Sequence, residues 1–402
     1  MNESDETARG RRLWVYEHRF SEIINVGGNF SAIGSSVATA AVRAATADAM
    51  ACFIDINEMQ AAASETIARL TGAAAGCLTS CASAAVTICV AATMTGLDLA
   101  LVESLPAEAG ERDEVVLQLG HVVDYGAPLL SAIKLAGGKP RIIGQVSRVF
   151  DHQLEAALSE RTAAALYVVS HLTAQNGQIP LERFVELAHA RGIPVIVDAA
   201  AERDFRSFIA AGADLVIYSG HKVLAGPTSG IIAGRKELVR AAYLQNAGIA
   251  RGMKIGKEGI AGAIVAMEQA LAHPVAANKP EEILAAWCQT LTALKGLSVE
   301  RRPDPIATDM HRLKVTVNRY LTGFSAAALA QALGQRRPRI LVRDFGISHG
   351  YFELDPSFVS ADEAELVAEA IKETIIKSTT LPDKGETDHR NGKVNSYLRW
   401  LE

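Results

Sequence analysis

The chain has 402 residues, of which 49% are hydrophobic and 21% charged, with a formal net charge of −5 at pH 7. That length supports one large core plus a smaller domain. The acidic balance gives no basic footprint for nucleic acid, and the apolar stretches are broken by Gly, Thr or charge well short of a membrane span. Cys52, Cys77, Cys81, Cys89 and Cys288 show no CxxC metal spacing and no secretory signal precedes them, so reduced thiols in a cytoplasmic protein are expected.

Residues 1–22 are polar and charged and read as an N-terminal arm. A large domain is expected over 23–278, opening on Ile23, Ile24, Asn25, Val26, Gly27 and Gly28. Within it, helical patterns alternate with short apolar runs at 75–78, 114–118, 141–144, 165–169, 195–197, 215–218 and 231–233. This alternation predicts an α/β fold, a mostly parallel sheet with helices on both faces. Gly226, Pro227, Thr228, Ser229 and Gly230 lead back into Ile231 and Ile232 and predict a hairpin-like return. A small α+β C-terminal domain is expected over 279–377, with a helix from Trp287 to Leu294, strands near 299–302, 313–318 and 340–343, and a final helix Ala361–Lys377. Residues 378–402 carry Pro, Gly and Lys and read as a flexible tail.

The most informative pair is Asp198, ending one β-branched run, and Lys222, just after the end of the next. Pyridoxal 5′-phosphate chemistry requires such a pair. A lysine amine bonds to the cofactor aldehyde, and a carboxylate keeps the pyridine nitrogen protonated so that the ring accepts electrons. Strands ending in Asp or Lys are also common where the side chain merely meets solvent, so the surroundings carry weight. Ser219 and His221 flank the lysine, and Gly220, Gly226 and Gly230 permit close backbone approach to a ligand.

A second site follows the first clear strand, where Thr79, Ser80, Cys81, Ala82 and Ser83 precede an Ala-rich helical run. Free N–H groups at a helix start seat a phosphate, and Cys81, Ala82 and Ser83 are placed for that; an ordinary helix cap is the alternative. His121, after the run 114–118, is a candidate to stack on a flat cofactor or else a structural histidine. The cluster from Ser170 to Gly177 follows another strand and includes Thr173, a candidate substrate contact. Ligands of open parallel sheets collect beyond the carboxyl ends of the strands, and four such ends here carry polar or Gly-rich loops.

In this order the motifs resemble the selenocysteine synthase-like branch of fold-type I pyridoxal phosphate enzymes, and within it the D-glucosaminate-6-phosphate ammonia-lyase group. The markers are residues 53–60 (Phe-Ile-Asp-Ile-Asn-Glu-Met-Gln), the loop 78–83, residues 198–202, residues 212–222 and residues 248–258. The resemblance implies that Lys222 bonds the cofactor, that Asp198 meets the ring nitrogen, that His121 stacks on the ring, and that Cys81, Ala82, Ser83 and Ser219 contact the phosphate. Cys81 stands where the family usually has glycine, which leaves the loop geometry open. A homodimer or larger assembly is also implied.

The chemistry expected is an elimination. Lys222 removes the Cα proton of a small amino acid substrate, a β-hydroxyl or other β-substituent departs, and a 2-keto acid and ammonia result. Arg343 is a candidate clamp for the substrate carboxylate, or a surface arginine paired with Asp344. Arg251 and Lys254, with Lys257, are candidates for a distal anionic group. A racemase, an aminotransferase or a transferase acting on seryl-tRNA would share Lys222; the last is disfavoured by the short segment before Ile23 and by the acidic charge. A binding or regulatory protein on the same fold is the non-enzymatic alternative.

Overall fold

The computed structural model describes His18, residues 20–272, 280–305 and 310–377, and the separate residues Leu381, Val394, Tyr397, Leu398 and Trp400. The arm expected over 1–22 and the tail expected over 378–402 lie almost wholly outside them. In chain order the strands are β1 (Ile23–Val26), β2 (Ala75–Thr79), β3 (Glu114–Gln118), β4 (Lys139–Ile143), β5 (Thr162–Val168), β6 (Val195–Asp198), β7 (Leu215–Ser219), β8 (Gly230–Gly234), β9 (Leu297–Pro303), β10 (His311–Val317), β11 (Arg339–Val342) and β12 (Tyr351–Leu354).

The chain divides into two units. The larger begins at Ser31 rather than near Ile23, because β1 pairs in parallel with β11, Ile24 opposite Ile340 and Val26 opposite Val342. This smaller unit also holds the antiparallel sheet β12-β10-β9 and the helices Pro280–Thr292, Ala326–Gly334 and Ala361–Lys377. Its core is built on Trp287, Phe324 and Phe352, and the Trp287 indole N–H donates to the Ala364 carbonyl at 2.8 Å.

The larger unit is a seven-stranded sheet in the order β2-β8-β7-β6-β5-β3-β4, formed by the seven runs expected from the sequence. All neighbours are parallel except β8, which runs antiparallel to both β2 and β7 and makes the expected return. Strands β6 to β8 are buried along their whole length, as strands covered by helices on both faces must be. Their side chains divide by period two. Ile196, Leu215, Ile217 and Ile232 enter the layer that holds the helix Ala82–Thr95. Val195, Val197, Val216 and Ile231 enter the other, with the helices Ile56–Thr71 and Lys257–Ala272.

Edge strand β2 is closed from outside. Asp55 caps the helix Ile56–Thr71 by accepting the N–H of Asn57 at 2.7 Å. One turn on, the Gln60 amide brackets Leu78: it accepts the Leu78 N–H at 2.9 Å and donates to the Leu78 carbonyl at 3.0 Å. Satisfying both groups of a buried edge residue fixes the strand that leads to the turn 81–83.

Candidate active site

The carboxyl ends of β5, β6 and β7 lie side by side, with Val168 opposite Asp198 and Asp198 opposite Ile217. Beyond them opens a cavity of about 380 Å³, lined by Asp198, Ser219, His221 and Lys222 together with Cys81, Ala82, Ser83 and Tyr125. The structure thus brings Asp198, Lys222, Ser219 and the turn 81–83 together.

Asp198 is 7% exposed, and among the described residues its carboxylate accepts one hydrogen bond, from the Ala200 N–H at 3.2 Å. Burial raises its carboxyl above the ordinary value, against the opposing charge of Lys222 and the Ala200 N–H. Burial lowers the Lys222 amine, against the charges of Asp198 and Glu202. The loop carrying Lys222 is pinned by backbone bonds: the Gly220 N–H donates to the Ser229 carbonyl at 2.9 Å and the Gly226 N–H to the Gly220 carbonyl at 2.8 Å. A Cβ at Gly220 would collide with the Ser229 hydroxyl, so the turn admits only glycine without rearrangement.

Opposite lies the start of the helix Ala82–Thr95. Cys81 is its N-cap, with extended backbone, and its Sγ accepts the Ala84 N–H at 3.4 Å. Cysteine in place of glycine therefore keeps the turn by acting as the capping side chain. The N–H groups of Ala82 and Ser83 have no intrahelical acceptor, as in any first turn. Ser80 N–H and the Thr79 hydroxyl both donate to the Met253 carbonyl, at 3.0 and 2.7 Å, and a Cβ at Gly230 would collide with the Cys81 carbonyl oxygen. The turn is held between β8 on one side and the segment ending at Met253 on the other.

Other expected site residues stand elsewhere. His121 is 2% exposed and does not line the cavity. It ends the short helix Leu119–His121, which turns its ring inward against the edge of Tyr167, 4.4 Å between centroids, where Nδ1 accepts the Val168 N–H at 3.1 Å. In this geometry the ring packs on Tyr167, and its stacking on a cofactor stays a proposal. Tyr125, four residues on, lines the cavity instead, its hydroxyl 3.0 Å from that of Ser83. Nothing in the run from His121 to Gly126 marks Tyr125 over His121 except that the helix spends the histidine on the backbone. Thr173 also stays outside the cavity, because its hydroxyl donates back to the Ser170 carbonyl at 2.7 Å; Ser170 lines the cavity in its place.

Arg251 and Lys254 are exposed and line no part of this cavity, and Lys257 donates to the Cys52 carbonyl. Arg343, in the smaller unit, is buried; it pairs with Glu353 at 3.2 Å rather than with Asp344, and lies 4.6 Å over the Phe345 ring. Its neighbour Arg312 is bound by both Asp304 and Asp355.

Comparison with known proteins agrees with this architecture. The chain is similar to D-glucosaminate-6-phosphate ammonia lyase of Salmonella typhimurium, 39% identical over 352 residues that cover 88% of this chain and 95% of the relative. It is 36% identical to a 5′-C-glycyluridine monooxygenase-decarboxylase of a Streptomyces species, over 91% of this chain and 93% of the relative. A solved structure of D-glucosaminate-6-phosphate ammonia-lyase superposes with a TM-score of 0.82 at 37% identity, covering 90% of this chain and 98% of that one. The fold is that of the fold-type I pyridoxal phosphate enzymes. The family profile described as L-seryl-tRNA selenium transferase matches residues 32–297, and the chain belongs to that family.

Proposed function

We propose that the protein is a pyridoxal 5′-phosphate-dependent ammonia-lyase, a carbon–nitrogen lyase that removes a β-hydroxyl or other β-substituent from an amino acid and releases a 2-keto acid and ammonia. An amino sugar acid is the substrate class, by similarity to D-glucosaminate-6-phosphate ammonia lyase. The observation that carries the reading is the meeting of Asp198, Lys222 and the turn 81–83 in one cavity.

The residues suit the cofactor. Asp198 is a buried carboxylate with a single long hydrogen bond among the described residues, the environment that a protonated ring nitrogen would complete. The Lys222 amine makes no hydrogen bond among the described residues, and burial favours its neutral, nucleophilic form. The first-turn N–H groups of Ala82 and Ser83, with the Ser83 and Ser219 hydroxyls, would hold the phosphate. When bound, pyridoxal phosphate supplies the electron sink that lets the Cα–H bond of an amino acid break. Lys222 would hold the cofactor through its aldehyde, and its free amine would take the Cα proton of the substrate. Asp198 keeps the ring cationic, and Tyr125 fixes the Ser83 hydroxyl. Arg343 is proposed to bind the substrate carboxylate, its guanidinium held by Glu353 and Phe345. A cytoplasmic homodimer or larger homo-oligomer is proposed for the assembly; all five cysteines are unpaired, as reducing surroundings would keep them.

The test is release of ammonia and a 2-keto acid from D-glucosaminate 6-phosphate and from D- and L-serine. Product from any of these supports the reading, and none from all of them contradicts it. A second reading rests on the 36% identity to the monooxygenase-decarboxylase. There the same pair would act on the Cα–carboxyl bond, and oxygen consumption with carbon dioxide release would mark it.

A further inference from the structure

Loss of a β-hydroxyl needs more than removal of the Cα proton. Hydroxide is a poor leaving group, and a proton must reach its oxygen as the Cβ–O bond breaks. Among the described residues lining the cavity, five side chains can titrate: Cys81, Tyr125, Asp198, His221 and Lys222. Four are committed. Asp198 is assigned to the ring nitrogen and Lys222 to the Cα proton. The Cys81 sulfur caps the helix, and the Tyr125 hydroxyl is bonded to Ser83.

His221 is the remaining one, and it is held. Its carbonyl accepts the Ser36 hydroxyl at 2.6 Å, and its Nδ1 lies 3.2 Å from the Ser219 hydroxyl. In the protonated ring Nδ1–H donates to the Ser219 oxygen, and Nε2 carries the second proton with no partner among the described residues. The imidazole is half-buried on the same wall as Lys222, its neighbour in sequence.

From this geometry we propose that His221 is the acid that protonates the departing β-hydroxyl, an inference that rests on the lyase reading above. The bookkeeping of atoms closes. Lys222 receives the Cα proton, and the electron pair of that bond becomes the Cα=Cβ bond. The Cβ–O pair leaves on oxygen, which takes the Nε2 proton of the imidazolium and departs as water, and the neutral imidazole left behind recovers a proton from solvent. The released enamine takes up one water to give the 2-keto acid and ammonia. Burial and the Lys222 charge hold the His221 imidazole below its ordinary range, which makes its protonated form a stronger donor. Ser219 is a positioning residue in this scheme, since it orients the ring without touching substrate.

The experiment compares leaving groups in wild type and His221→Gln. The probes are D-glucosaminate 6-phosphate or whichever serine enantiomer wild type accepts, and the matching β-chloroalanine, whose chloride departs without a proton. For the hydroxylated substrate, His221→Gln should lose about 100-fold or more of ammonia release. It should still exchange the Cα proton for deuterium in D₂O, followed by NMR. Release of ammonia from β-chloroalanine should fall far less, and the affinity for pyridoxal phosphate, read by fluorescence titration, should stay within a few-fold of wild type. Equal losses with both leaving groups, unchanged release from the hydroxylated substrate, or loss of Cα exchange together with cofactor affinity would each overturn the assignment. If wild type eliminates from neither probe, the lyase reading itself fails, and this inference falls with it.

Discussion

Asp198 and Lys222 are pushed in opposite directions by the same burial: the carboxyl rises, the amine falls, and the charge of each opposes the other's shift. Burial therefore disfavours the charged form of each, and a cation placed beside Asp198 favours its ionised form. Lys222→Ala removes the opposing charge and should raise the Asp198 carboxyl further.

Replacing Asp198 by Asn should lower turnover about 100- to 1,000-fold, the usual cost of removing one preorganised electrostatic partner. Folding should suffer little, because an isolated buried carboxylate is itself unfavourable. The native carboxyl lies above its unfolded value of 3.8, so the native state holds the proton more tightly and the apoprotein loses stability as pH climbs above about 4. Asp198→Asn escapes that loss. Its melting temperature relative to wild-type apoprotein should therefore improve between pH 4 and pH 7, and a flat difference would contradict the burial argument.

Tyr125→Phe removes one hydroxyl from the Ser83 contact and keeps the ring. A hydrogen bond of about 1 kcal/mol net corresponds to a roughly fivefold weaker cofactor affinity. Ser83→Ala should cost at least as much, and the double variant should cost less than the sum, since both act through one contact. Fluorescence titration with pyridoxal phosphate checks all three, and strict additivity would separate the two hydroxyls.

Gln60→Ala strips both partners from buried Leu78 on the edge strand. Two unsatisfied backbone groups should destabilise the larger unit by about 2–5 kcal/mol. In urea the midpoint should fall with little change in slope. A midpoint unmoved from wild type would mean that water replaces the amide.

Burial takes His121 down to about 4 from the ordinary 6.5. The native state then binds the proton less tightly than the unfolded chain. Its contribution to stability is complete above about pH 6.5 and is lost as pH falls from there toward 4. NMR titration of the His121 ring should show a midpoint near 4; one near 6.5 would place the ring in solvent.

Much of this was legible in the sequence because burial on both sheet faces leaves continuous apolar runs. All seven strands of the large sheet and the return into β8 followed from that pattern. Asp198 and Lys222 were legible because a charge ending such a run stands at the sheet's carboxyl edge. Pairing partners were not: Ile23 to Val26 opens the expected large domain, but nothing local says that Arg339–Val342 will receive it as a strand. The choice between His121 and Tyr125 was equally hidden. The registered β3–β5 pairs end at Val116 and Ala165, so the Val168 N–H turns to a side chain, and only the folded geometry shows that His121 supplies it. The short strand β12 was also missed, its four residues of mixed polarity lying among turns.

The most direct measurement is the visible absorption spectrum of the protein with pyridoxal phosphate, wild type beside Lys222→Ala, followed by borohydride reduction and peptide mapping. A visible band that borohydride fixes on Lys222, and that Lys222→Ala lacks, is the predicted result. A reduced adduct on another lysine, or no band at saturating cofactor, would contradict the placement of the chemistry at the Asp198 and Lys222 cavity.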